Sequence, residues 1–224
     1  MSTDFVFKRI FGCGFAVLFV LTLSLFALYF HSAEKVTFSL RYYYLVKEEW
    51  YTEAGALAVY QEGGASYMLN EGGKEYVALS VYSNREDVQS VCNALPQDKE
   101  VSVVEKGVDA LYFKGIKQKR LAKIYLGGLG CFDACIRALE QCIFMLDNGT
   151  EQEVVRVTLQ LLNRQLRYMG EENREEFYAL SKACFQTEKQ LSNICNSVIM
   201  ARDLRYLLCE MAEENISMAK EFAL

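Results

Sequence analysis

Between residues 42 and 104 the chain writes one short pattern twice, strand then helix then strand, and this repetition limits the fold more than any other feature. The first copy runs Tyr42-Tyr43-Tyr44-Leu45-Val46, a helical stretch over 50–61, then Ala65-Ser66-Tyr67-Met68-Leu69. The second places a strand at 76–82, a helix at 85–95 and a strand at 100–104. Between the copies lies Asn70-Glu71-Gly72-Gly73-Lys74, whose paired glycines supply the positive φ angles of a tight hairpin. The pattern βαββαβ predicts an α+β unit, a four-stranded antiparallel sheet backed by two helices.

The second helix carries the sharpest local signal. Val88, Val91, Cys92 and Leu95 recur at helical spacing, and Pro96 stops the run. In the strand before it, Val77, Leu79 and Val81 alternate with Tyr76, Ala78, Ser80 and Tyr82. Helices need an apolar sheet face to rest on, so the Val/Leu side is expected inward and the tyrosine side open.

Val81-Tyr82-Ser83-Asn84-Arg85-Glu86-Asp87-Val88, with Leu95 closing the helix, resembles the second half of a SPOR domain, a bacterial sporulation- and division-related repeat. The first half is similar in its aromatic strand, in Ala54 and Leu57 of its helix, and in Gly63-Gly64 before the next strand. The resemblance covers 38–113. It implies binding of peptidoglycan glycan strands, where peptide stems have been removed, on the sheet face that helices leave free. Where the family often has Gln and, two residues on, Gly, this chain has Tyr44 and Val46; Ser80 stands at a further family Gly. The candidate glycan-binding residues on that face are Tyr42, Tyr44, Tyr76, Ser80 and Tyr82. Each tyrosine offers a flat apolar ring and a hydroxyl.

Upstream, Lys8 and Arg9 precede an uncharged run over 10–30, about twenty residues and enough for a helix to cross roughly 30 Å of hydrocarbon. The run exceeds a signal-peptide core, and His31-Ser32-Ala33 is a poor cleavage site, so a retained anchor is expected. The basic residues ahead of it put residues 1–9 in the cytoplasm and the rest outside, joined by a tether over 31–37. The expected location is thus the cell membrane, with a single pass through the lipid bilayer.

Beyond the repeat, 114–224 reads as a separate helical domain. Leu121, Ile124, Cys131, Cys135, Leu139, Cys142 and Leu146 mark one helix that ends at Asp147-Asn148-Gly149. Thr150-Glu151-Gln152-Glu153 has the spacing of a capping box, and Val154, Val157, Leu161 and Leu162 follow as the next apolar face. Phe177, Leu180, Cys184, Leu191, Ile194, Cys195, Val198, Leu208 and Met211 mark one long helix, or two broken near 193–196. Three antiparallel helices are the simplest arrangement, with their outer faces free for a protein partner.

Chemistry is sparse. One His and one Pro in 224 residues leave little for imidazole catalysis or a His-rich metal site, and no C-x-x-C pair is present. The cysteines share helix faces with leucines, as small hydrophobes do. The net charge of −5, with twelve acids against six bases over 38–113, argues against nucleic acid. Neither a catalytic residue nor a cofactor nor a metal is expected. The primary expectation is a non-enzymatic envelope protein that binds peptidoglycan, related to cell division or sporulation. The alternative is a membrane-tethered helical scaffold whose SPOR-like fold makes protein contacts and binds no glycan.

Overall fold

A computed structural model describes residues 38–47, 56–57, 59, 61–95, 101–109 and 116–223. Its strands are β1 (Leu40–Lys47), β2 (Tyr67–Glu71), β3 (Lys74–Tyr82) and β4 (Val101–Val108). Its helices are α1 (Arg85–Ala94), α2 (Ile116–Asp147), α3 (Gln152–Glu172), α4 (Tyr178–Cys195) and α5 (Ala201–Ala223). Residues 38–111 and 124–224 form one compact unit, so the sheet shares a unit with helices expected as a separate domain. A second unit gathers residues 1–37 and 112–123, of which the first turns of α2 are described.

The four strands pair antiparallel in the order β2-β3-β1-β4. Glu71 stands opposite Lys74, and Gly72 and Gly73 turn the hairpin at φ 59° and 77°. Two consecutive left-handed residues match the right-handed twist of the strands, and glycine adopts them without steric cost. A β-bulge between Leu45 and Val46 interrupts the β1–β3 register, so strict alternation does not hold along this pair. In α1 the Asn84 side chain accepts from the Glu86 amide, and Glu86 and Asp87 place negative charge in the first turn. Of its expected stripe only Val88 is buried, whereas Val91 is exposed. Most of the helix expected over 50–61 lies outside the described residues; positions 56, 57, 59 and 61 are helical, and Val59 is buried.

The expected fold class needs correction. A membrane-spanning helix was part of it, yet among the described residues no helix is long and apolar enough to cross a membrane. The run over 10–30 itself lies outside the described residues. The sheet is also not backed on one side only. Its Tyr42/Tyr44 side meets Asp133 of α2 and Glu213 and Asn215 of α5, while α1 packs on β1, β3 and β4. A sheet buried on both sides cannot keep an open tyrosine face.

The C-terminal half holds four helices rather than three. At the end of α2, Gly149 (φ 76°) bonds back to the Leu146 carbonyl and Thr150 to that of Met145, a paired motif that satisfies the last carbonyls. Because its amide closes α2, Thr150 does not cap α3, whose N-cap residue is Glu151 and makes no side-chain cap bond. The expected capping box is therefore absent, and Thr150→Ala should change stability by less than about 0.5 kcal/mol in denaturant unfolding. A second correction concerns α3. Its buried stripe is Val155, Leu159, Leu162, Leu166 and Met169, whereas Val154, Val157 and Leu161, expected inward, face outward.

Cys135, Cys142, Cys184, Cys195 and Cys209 are buried as free thiols. Burial pushes Cys135 and Cys184 up to about 12 and Cys142 up to about 11, which keeps them protonated and unreactive at neutral pH.

Candidate functional site

The five candidate residues separate into three environments. Tyr42 and Tyr44 on central strand β1 are 0% exposed. The Tyr42 hydroxyl donates to Asp133 Oδ1 at 2.7 Å and accepts from Asn215 Nδ2 at 2.8 Å. Asp133 is held in turn by Arg137, whose Nε lies 3.0 Å from Oδ2. The Tyr44 hydroxyl donates to Glu213 Oε1 at 2.7 Å, and Lys106 Nζ donates to Glu213 Oε2 at 2.6 Å. Burial drives both phenols far above their ordinary range, and the carboxylates of Asp133 and Glu213 push the same way. Both therefore remain donors, committed to internal partners. Neither ring nor hydroxyl is available to a glycan.

Tyr76 stands apart from them. It lies opposite Leu69 of β2, whereas Tyr44 lies opposite Val81, so the two tyrosines are not neighbours across a strand pair. It is half-buried.

Ser80 and Tyr82 occupy the third environment, a cleft of about 320 Å³ between α1 and α2. Ser80 is buried and Tyr82 half-buried. Val91, Ile143, Phe144 and Leu208 supply the apolar lining, and Asp87, Glu140 and Asp147 supply carboxylates. Glu140 Oε2 accepts from Ser83 Oγ at 2.8 Å and from the Ser83 amide at 3.3 Å. Burial raises the Glu140 carboxyl above its usual range; Ser83 pulls it back, Asp87 pushes it further up and Arg137 lowers it. Folding thus favours protonated Glu140. That contribution is present at acid pH and is lost as pH rises through the folded-state pKa.

No family model, curated protein or solved structure matches this chain. Nothing in these comparisons identifies a SPOR domain. The site has to be read from its own residues.

Asp87, Glu140 and Phe144 were not singled out from the sequence. Asp87 follows an N-cap and reads as an ordinary first-turn acid. Glu140 and Phe144 sit on a helix whose pairing with the sheet has no local signature. A second opening between α4 and α5, about 640 Å³, is lined by Gln186, Gln190, Asn193, Glu210 and Glu214 with Leu207 beneath them. Its polar lining comes from helix positions that look solvated in sequence. Among the described residues no group of His, Cys, Asp and Glu is arranged to hold a metal ion.

Proposed function

We propose that this chain is a non-enzymatic helical scaffold that works through protein contacts, and that the tyrosine side of its sheet binds no glycan. The observation that carries the reading is the complete burial of Tyr42 and Tyr44 beneath α2 and α5, with both hydroxyls bonded internally. A glycan on that side would have to displace two helices from the core.

Among the described residues, the outer stripe of α3 is a surface left for contacts. Val154, Val157, Leu161 and Tyr168 are each about half exposed or more, at spacings of three, four and seven residues. This is the seam spacing of helix–helix pairing. Arg164, on the same seam, has no ion-pair partner among the described residues. The occupant that fits is an amphipathic helix with matching aliphatic spacing and a carboxylate opposite Arg164.

Pelleting of the full chain with purified peptidoglycan sacculi tests the proposal. The scaffold reading expects the chain to remain in the supernatant. Pelleting that Tyr82→Ala abolishes would restore glycan binding, relocated to the Ser80/Tyr82 cleft.

A further inference from the structure

Val154, Val157, Leu161, Arg164 and Tyr168 form the outer stripe of α3, and all five are exposed. Their intervals of three and four residues keep them on one side of a 21-residue helix about 31 Å long. Val155, Leu159, Leu162, Leu166 and Met169 already supply the inward stripe, so this second one has no neighbour among the described residues. Charge is unevenly placed along the outer side. Glu153 stands in the first turn and is 77% exposed, whereas Arg164 and Arg167 stand in the later turns. No acid lies between positions 154 and 170. Glu153 meets Arg156 through Oε2 alone at 3.3 Å, and Arg167 Nη2 meets Glu188 at 2.9 Å. Arg164 has no ion-pair partner among the described residues.

Two helices that carry this stripe can pair in two directions. Parallel and in register, Arg164 would meet Arg164 at the seam with no acid level with either, and the two helix dipoles would lie side by side in the same sense. Antiparallel, with Val157 level with Leu161 of the second helix, Val154 comes level with Arg164. Glu153 then adjoins that arginine, because in antiparallel pairs each flank of the seam faces the same flank of its neighbour. The Arg164 stem covers Val154 while the guanidinium reaches the Glu153 carboxylate. Each contact occurs twice, and the dipoles oppose. Glu171 and Glu172 fall beyond the paired stretch. The carboxylate that the seam requires opposite Arg164 is thus carried by α3 itself. A surface that is its own complement is the property of an isologous two-fold interface.

We propose that α3 pairs antiparallel with α3 of a second copy of this chain, with Val157 on Leu161 at the centre and Arg164 on Glu153 at each end. This rests on the reading of the outer stripe as a helix-pairing surface and names its occupant. Five seam side chains per copy fall well short of the roughly 20–30 residues a side of a standard interface. The dimer is therefore weak and concentration-dependent, with a dissociation constant of about 10–100 μM.

The test measures energy transfer between donor-labelled and acceptor-labelled full chains as concentration rises. One mild detergent is kept throughout, as the uncharged run over 10–30 calls for. Transfer should saturate. Arg164→Glu and Glu153→Arg each alter an exposed position and should leave helical content unchanged, yet each alone should weaken self-association about tenfold by placing like charges together. An equal mixture of the two variants should recover wild-type association to within about twofold, because both end contacts again join an acid to a base. A mixture as weak as the single variants overturns the proposal, as does association that neither variant alters. So does the absence of self-association at about ten times the expected constant. A dye-labelled helical peptide with leucines at the seam spacing and a glutamate opposite Arg164 separates this proposal from the reading beneath it. Peptide binding that Leu161→Gln weakens, without self-association, overturns the second copy and leaves α3 a helix-pairing surface. Failure of both overturns both.

Discussion

Tyr42 and Tyr44 carry hydroxyls and are wholly enclosed, whereas Val154, Val157 and Leu161 carry no polar group and stand about half in solvent. The difference follows from position in the assembly. β1 has a strand on each side, α1 on one face and α5 on the other. α3 packs chiefly against α4. A central element must bury whatever it carries and supply partners for the polar ends, and Asp133, Asn215, Glu213 and Lys106 do so here. A peripheral helix with one main neighbour can bury only one stripe, and any second apolar stripe stays outside. Burial is thus allotted by neighbours rather than by hydrophobicity alone.

This contrast can be broken most sharply at Tyr44. Tyr44→Ala should cost about 3–5 kcal/mol in denaturant unfolding, as truncation of a fully buried aromatic does. A cost below about 1 kcal/mol would mean that the helices do not cover the sheet. Next in size, Lys106→Met leaves Glu213 without its cation and should cost about 2–3 kcal/mol; Glu213 is partly exposed, which softens the full penalty of a broken buried pair. Tyr42→Phe keeps the ring but removes the partner of Asp133 Oδ1 and Asn215 Nδ2, and about 1–2 kcal/mol is expected. A neutral outcome would show that water enters the Tyr42 site. On α3, Leu161→Gln should shift stability by less than about 0.5 kcal/mol while slowing retention on a hydrophobic column less than wild type. A loss of 2 kcal/mol or more, on the order of a truncated core leucine, would place this stripe in a core.

Local chemistry made much of the sheet legible in the sequence. The Gly72-Gly73 hairpin and the strands around Tyr44 and Val81 each depend on residues a few positions apart, so their signals survive in one dimension. The candidate site was legible only in part. Ser80 and Tyr82 reach a cleft, but Tyr42 and Tyr44 do not, because the partners that enclose them come from α2 and α5. Helical periodicity says that Val154 and Val155 belong to different stripes without saying which stripe meets a neighbour. Thr150 misleads for a related reason. The capping-box spacing is present, but the preceding helix closes onto the same residue first.

The bonds that close the sheet's tyrosine side have a consequence for the order in which the molecule is made. Tyr42 waits for Asn215, 173 positions later, and Tyr44 for Glu213, 169 positions later. On a ribosome the strands emerge first and cannot complete their core until nearly the whole chain has followed. Contacts of such separation make folding slow, since loop closure precedes any gain from contact. During that interval a sheet with two uncovered tyrosines and a Lys106 that lacks Glu213 is the species open to aggregation or to a chaperone. A chain that ends before α5 would stay in that condition.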